Sequence, residues 1–182
     1  FMYEVKGDGN KKLSFDVPNF RLWWPNGYGE QNLYSLKLSY VEDGKVVADT
    51  KTTFGIRTLE MKPFPSGPRE DTYSRTVVVN GRSLFMKGAG WCTIDALMRF
   101  DCDSYYRILS RAKQQGVNFL RAWGGGLVET DEFYSLCDEL GICVYQEWPT
   151  CWDSQKTQPE EVLYETVVSQ IKRIRNRPSL VL

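Results

Sequence analysis

Along residues 1–62 apolar and polar positions alternate with a period of two. "KLSFDV" (12–17) alternates, and so does "LYSLKLSYV" (33–41), where Leu36, Leu38 and Tyr40 share one face. "GKVVADTKTTFGI" (44–56) follows a turn at Glu42-Asp43-Gly44. No segment here carries a helical stripe longer than one turn, so the pattern predicts a β-sandwich or part of one. "KPFPSGPRED" (62–71), with three Pro and one Gly, reads as a linker.

Past the linker the period changes. "YSRTVVVNGRSLFMKG" (73–88) predicts a hairpin turning at Asn80-Gly81, a pair suited to a type I′ turn. "SLFMKGAGW" (83–91) predicts one continuous apolar strand. A helix over about 103–115 places Tyr105, Ile108, Leu109 and Ala112 on one face, and "GVNFLRAW" (116–123) predicts the next strand. A second helix over about 131–140 places Phe133, Leu136, Cys137 and Leu140 inward, with Asp131 and Glu132 at its positive end. "GICVYQEW" (141–148) is a third strand. A third helix over about 160–175 turns Leu163, Val167, Ile171 and Ile174 inward, and "SLVL" (179–182) opens a fourth strand.

Alternation of buried strands and helices implies parallel βαβ units. A doubly wound sheet and the first part of a (β/α)8 barrel both satisfy that pattern. A barrel gathers its chemistry at the C-terminal ends of successive strands, whereas a doubly wound sheet concentrates it at one switch point. Here each strand ends in candidate residues: Trp91 and Asp95, then Arg121 and Trp123, then Glu147 and Trp148. The distribution favours the barrel.

Composition narrows the chemistry. The chain has no His, which removes Ser–His and Cys–His nucleophiles and every His-ligated metal site. The five Cys form no C-x-x-C pair, which weakens a zinc or thioredoxin-like reading; their odd number favours reduced thiols over a disulfide framework. Cys137 and Cys143 fall on core faces. The formal net charge is zero, so nothing electrostatic argues for nucleic acid or an acidic membrane as partner. No apolar run reaches the roughly 18 residues of a membrane span, and no signal peptide is visible. Aromatic residues make up 14% of the chain, including six Trp, material for a core and for a sugar-binding cleft alike.

The glycine run in "LRAWGGGLVETDEF" (120–133) is not a phosphate cradle. Three residues after Gly126 stands Glu129, no Gly-Lys-Ser/Thr follows, and a phosphate would meet Glu129, Asp131 and Glu132. A tight strand-to-helix turn accounts for the glycines. Arg121, costly to bury alone, calls for a carboxylate partner. Glu147 on the neighbouring strand serves, either as a structural pair or with Arg121 orienting a catalytic carboxylate. Trp91, Trp123, Trp148 and Trp152 would give a barrel mouth flat walls for a pyranose ring.

"LWWPNGYGEQNLYSL", "FGIRTLE", "VNGRSLFMKGAGW", "LRAWGGGLVETDEFYSLCDELGICVYQEW" and "RIRNRPSLVL" closely resemble glycoside hydrolase family 2 from about Phe20 to Leu182, and within it the β-mannosidase-like members. The resemblance implies a multidomain retaining β-glycosidase with jelly-roll, immunoglobulin-like and (β/α)8 TIM-barrel domains. Residues 1–62 would end an immunoglobulin-like β-sandwich. Residues 63–182 would form the first three βα units of the barrel, up to strand 4. It implies that Arg121 contacts the nucleophile, that Trp123 stands beside the sugar, and that Trp91 and Asp95 contact substrate. Glu147 becomes a partner of Arg121 rather than a catalytic acid. "QEWPTCW" departs from the common pattern of an Asp followed by apolar residues. Both chain ends look cut, so the chain reads as a fragment. The resemblance places the acid/base Glu at the close of the fourth strand and the nucleophile later in the barrel, both beyond Leu182, with no catalytic carboxylate, cofactor or metal expected within the chain. The expected partners are a glycoside or oligosaccharide substrate and the rest of the parent chain. An exo-β-glucosaminidase, a β-galactosidase or a non-catalytic sugar-binding segment are the alternatives.

Overall fold

The computed structural model describes residues 2–7, 9, 12–63, 75–151 and 158–182. Most of the predicted linker, and Trp152, lie outside the described residues. Two strands, β1 (Tyr34–Glu42) and β2 (Lys45–Phe54), form an antiparallel hairpin. Asp43 and Gly44 turn it, both at positive φ, 48° and 75°. "KLSFDV" forms no strand: residues 12–17 are unpaired and mostly exposed, because alternation alone supplies no partner ladder.

A second antiparallel sheet joins β3 (Leu59–Pro63), β4 (Arg75–Val79) and β5 (Arg82–Ser83) in that order. Strand pairing therefore runs across residue 62. The Asn80-Gly81 turn forms as expected, with φ of 51° and 76°. The predicted continuous strand over 83–91 is in fact broken. β5 pairs antiparallel with β4, and the chain then leaves that sheet to enter another as β6 (Gly88–Trp91). One apolar run thus changes partners midway, which no local pattern reveals.

The third sheet is parallel, in the order β6, β7 (Phe119–Ala122), β8 (Cys143–Gln146). Helix α1 (Cys102–Gln114) connects β6 to β7, α2 (Asp131–Leu140) connects β7 to β8, and α3 (Glu160–Ile174) follows β8. The segment after α3 runs parallel beside β8: the Val144 amide donates to Ser179 O at 2.8 Å, and the Val181 amide donates to Val144 O at 2.9 Å. "SLVL" therefore starts a fourth strand, as expected.

The helix ends are locally specified. Asp101 caps α1 by accepting from the Ser104 amide at 2.8 Å. Thr130 caps α2 by accepting from the Phe133 amide at 3.2 Å, and Gly141 at φ 75° ends it in the left-handed region. Not every predicted inward residue is covered. Ile108 is 39% exposed and Ile171 41%, and in α3 only Ile174 is buried.

Strand parity divides the parallel sheet into two faces. Leu120, Ala122 and Val144 join the helix-side core with Tyr105, Leu109, Phe133 and Cys137. Phe119, Cys143 and Val181 turn the other way and meet Val77 and Val79 of β4, with Trp23 and Leu84. The β3–β4–β5 sheet thus covers the N-terminal ends of the parallel strands. Their C-terminal ends stay open.

Candidate active site

At that open end, Arg121 projects from β7 on the face opposite the helices. Its register partner on β8 is Tyr145, two residues before Glu147. Arg121 donates from Nε and Nη2 to Glu147 Oε1, both at 2.8 Å. The Gly124 amide donates to the other carboxylate oxygen, Oε2, at 2.9 Å. Both oxygens of Glu147 are therefore held. Partial burial works against its charge, but the Gly124 amide and the Arg121 guanidinium outweigh it and hold the carboxyl below the usual carboxylate range. Glu147 is ionised at neutral pH.

The glycine run lets the chain approach this carboxylate. A Cβ at Gly124 would meet the Trp148 carbonyl oxygen and lie 3.2 Å from Glu147 Cβ. A Cβ at Gly125 would strike the Trp123 ring. Neither residue has positive φ, so close approach is the reason for both.

Arg121, Glu147 and Trp148 line one concavity of about 960 Å³, with Gly124, Tyr145, Thr150 and Cys151 beside them. Such a volume suits a small ligand. Half of the Arg121 side chain stays exposed. An ion pair this open adds at most about 1 kcal/mol to stability. What it does supply is a fixed cation and a fixed, occupied carboxylate at the mouth of the sheet.

Three of the six predicted site residues do not line this concavity. Trp91 is buried in the helix-side core, where its ring packs against Phe133 and Tyr105. Its register partner is Ala122, which also faces the helices, so strand parity turns Trp91 away from Arg121. Asp95, in the loop after β6, accepts from Arg99 at 2.7 and 2.9 Å and from the Leu97 amide at 2.6 Å. Trp123 is half-buried, its amide donating to Trp91 O at 3.0 Å.

A model of the glycosyl hydrolases family 2 matches residues 3–57. The chain is 36% identical over 180 residues to β-mannosidase B of Aspergillus clavatus, covering 97% of this chain and 21% of that protein. It is similar to the solved β-D-mannosidase of Dictyoglomus thermophilum, with a TM-score of 0.72 and 39% identity over 87% of this chain and 20% of the other. This chain belongs to glycosyl hydrolase family 2. It spans about a fifth of the length of these relatives. The solved exo-chitosanase CsxA of Amycolatopsis orientalis is also similar, with a TM-score of 0.72 and 27% identity over 91% of this chain and 20% of that one.

Behind the concavity lies a buried network that the sequence reading missed. Glu129 is 2% exposed and accepts from Trp91 Nε1 at 2.9 Å and from the Tyr105 hydroxyl at 2.8 Å. Burial foremost, with Glu129 adding to it, pushes the Tyr105 phenol above its ordinary range. Gln146 Oε1 accepts from the Glu129 amide at 3.2 Å and from the Tyr134 hydroxyl at 2.8 Å. Its Nε2 donates to Glu147 O at 2.8 Å. The network therefore runs from the core to the backbone of Glu147. An acid directly after Leu127 and Val128 was the available signal, read only as charge at a helix mouth. Among the described residues no group of three His, Cys, Asp or Glu could hold a metal.

Proposed function

We propose that this chain is part of a retaining β-glycosidase acting on β-mannosides, built from the end of an immunoglobulin-like sandwich (1–62) and the first three βα units of a (β/α)8 barrel (63–182). The observation that carries the reading is the Arg121–Glu147–Gly124 constellation at the C-terminal end of the parallel strands, the face on which barrel enzymes carry chemistry. The strand order supports the barrel: β6, β7, β8 and the segment after Ser179 lie side by side in chain order, without the reversal of a doubly wound sheet.

Retaining hydrolysis uses two carboxyls about 5–5.5 Å apart, one protonated to serve as acid and one ionised to serve as nucleophile. Glu147 suits neither role, since its charge is stabilised and both its oxygens accept hydrogen bonds. The acid/base is assigned to the C-terminal end of the strand that starts at Ser179 and the nucleophile to a later strand, both in the longer protein beyond Leu182. Arg121 then orients the nucleophile and holds it ionised, Glu147 fixes Arg121, and Trp148 presents a flat surface to the sugar. The reaction is a double displacement: the nucleophile displaces the aglycone, which takes its proton from the acid. Water then releases the sugar, giving its proton to the same residue. Mannose is preferred to glucosamine because the mannosidase relatives are the more alike, at 36% and 39% identity against 27% for the exo-chitosanase.

The test is hydrolysis of 4-nitrophenyl β-D-mannoside and β-D-glucosaminide by the full-length protein and its Arg121→Ala variant. Faster turnover of the mannoside is expected, with kcat lowered by roughly 100-fold in the variant and the melting temperature little changed. Absence of turnover on both glycosides, or an unchanged kcat in Arg121→Ala, overturns the reading.

A further inference from the structure

Arg57 stands between β2 and β3, half-buried and far in sequence from the parallel sheet. Its Nε donates to Pro178 O at 2.5 Å, and its Nη2 donates to Leu180 O. Between these acceptors lies Ser179 O, which takes the Val144 amide of β8. Pro178 and Ser179 form a turn that the Leu180 amide closes onto Arg177 O at 3.2 Å. Arg57 takes the Pro178 and Leu180 carbonyls, on either side of the Ser179 carbonyl that accepts from β8. The planar guanidinium holds two points of the strand in a fixed relation.

The approach is prepared from both sides. A Cβ at Gly55 would lie 2.9 Å from Pro178 Cβ and 2.9 Å from Trp23 Cβ, so only glycine lets this stretch lie against Pro178. Trp23 anchors the same stretch: its amide donates to Ile56 O at 2.9 Å and its indole donates to Asp138 O at 2.8 Å. Asp138 in turn accepts from the Ser179 amide at 3.0 Å and hydroxyl at 2.6 Å. Arg57 and Asp138 therefore grip the first residues of the fourth strand from two directions.

We propose that Arg57 is a positioning residue for hydrolysis, setting the register and depth of the strand that starts at Ser179 and hence the placement of the acid/base carboxyl at its far end. The proposal rests on the reading under Proposed function, which assigns that carboxyl to the longer protein beyond Leu182. A strand rises about 3.3 Å per residue, so small shifts at its start carry to its end. A misplacement of about 1 Å costs a reacting group up to roughly 100-fold in rate.

The experiment compares full-length wild type, Arg57→Met and Arg57→Lys on two aryl β-mannosides. A 2,4-dinitrophenyl leaving group departs without a proton; a phenyl leaving group needs the general acid. With Arg57→Met, kcat/KM for the phenyl mannoside should fall by roughly 100-fold. For the dinitrophenyl mannoside it should fall by less than about fivefold, with KM nearly unchanged for both. Arg57→Lys, which keeps one donor and the charge, should recover part of the loss. Equal losses on the two substrates, or no loss, overturn the role of Arg57 while leaving the glycosidase reading intact. Wild type inactive on both substrates overturns that reading and the proposal with it.

Discussion

At residue 124 the absence of a side chain allows three contacts at once. The main chain lies under the Trp148 carbonyl, beside Glu147 Cβ, and within 2.9 Å of Glu147 Oε2 through its own N–H. Gly124→Ala should push the Glu147 loop away, loosen the carboxylate from Arg121 and cost roughly 1–3 kcal/mol. In the full-length protein the melting temperature and kcat should fall together. Gly126→Ala is the comparison, because its Cβ would meet Thr93 Cγ2 at a tight 3.3 Å and a methyl-bearing side chain can give way. Equal behaviour of the two variants would contradict the close-approach account. The same scale shows what the sequence concealed. Trp91 ends one parallel strand and Trp148 follows another, yet the first fills the core and the second lines the concavity. Register against the neighbouring strand decides the face, and register is a property of two segments, not one.

Elements with a strong period and clear ends were legible. The three helices begin and end within about a residue of their expected bounds, since caps and a 3.6-residue stripe are both local signals. Strands fared worse wherever the partner decides: "KLSFDV" alternates without pairing, and "SLFMKGAGW" divides between two sheets. The Arg121–Glu147 pair was foreseen because neighbouring βα units place their strand ends together. Glu129 was not, because its partners Trp91 and Tyr105 come from β6 and α1. Its role at element scale is to tie β6, α1 and the start of α2 into one body. Glu129→Ala would leave the Trp91 N–H and the Tyr105 hydroxyl buried without this acceptor, a loss of roughly 2–5 kcal/mol. Glu129→Gln keeps one acceptor oxygen and adds a donor, so it should lose less than half as much. Thermal unfolding of both variants, followed by near-ultraviolet dichroism of Trp91 and Tyr105, checks the order; equal losses would dismiss the tie.

Across the whole molecule the covered and uncovered surfaces divide sharply. The parallel sheet is packed on its helix side and at its N-terminal ends, while Gly88, Ala89 and Gly90 of β6 lie exposed. The β1–β2 hairpin shows Leu38, Tyr40 and Val46 each at 61% exposure. Apolar faces and strand edges of this kind drive association between copies when nothing else covers them. The 182-residue polypeptide expressed alone is therefore expected to self-associate and to bind a hydrophobic dye, while the full-length protein does neither. On the proposed reading it should also show no turnover on aryl β-mannosides, since Arg121 orients a reacting carboxylate and Glu147, with both oxygens held, does not serve as one. Light scattering, dye binding and a hydrolysis assay on the purified chain test this directly. A monodisperse, dye-negative chain would show that these faces need no cover. Measurable hydrolysis would place a catalytic carboxyl within these residues and make Glu147, the one carboxylate side chain lining the concavity among the described residues, the first to substitute.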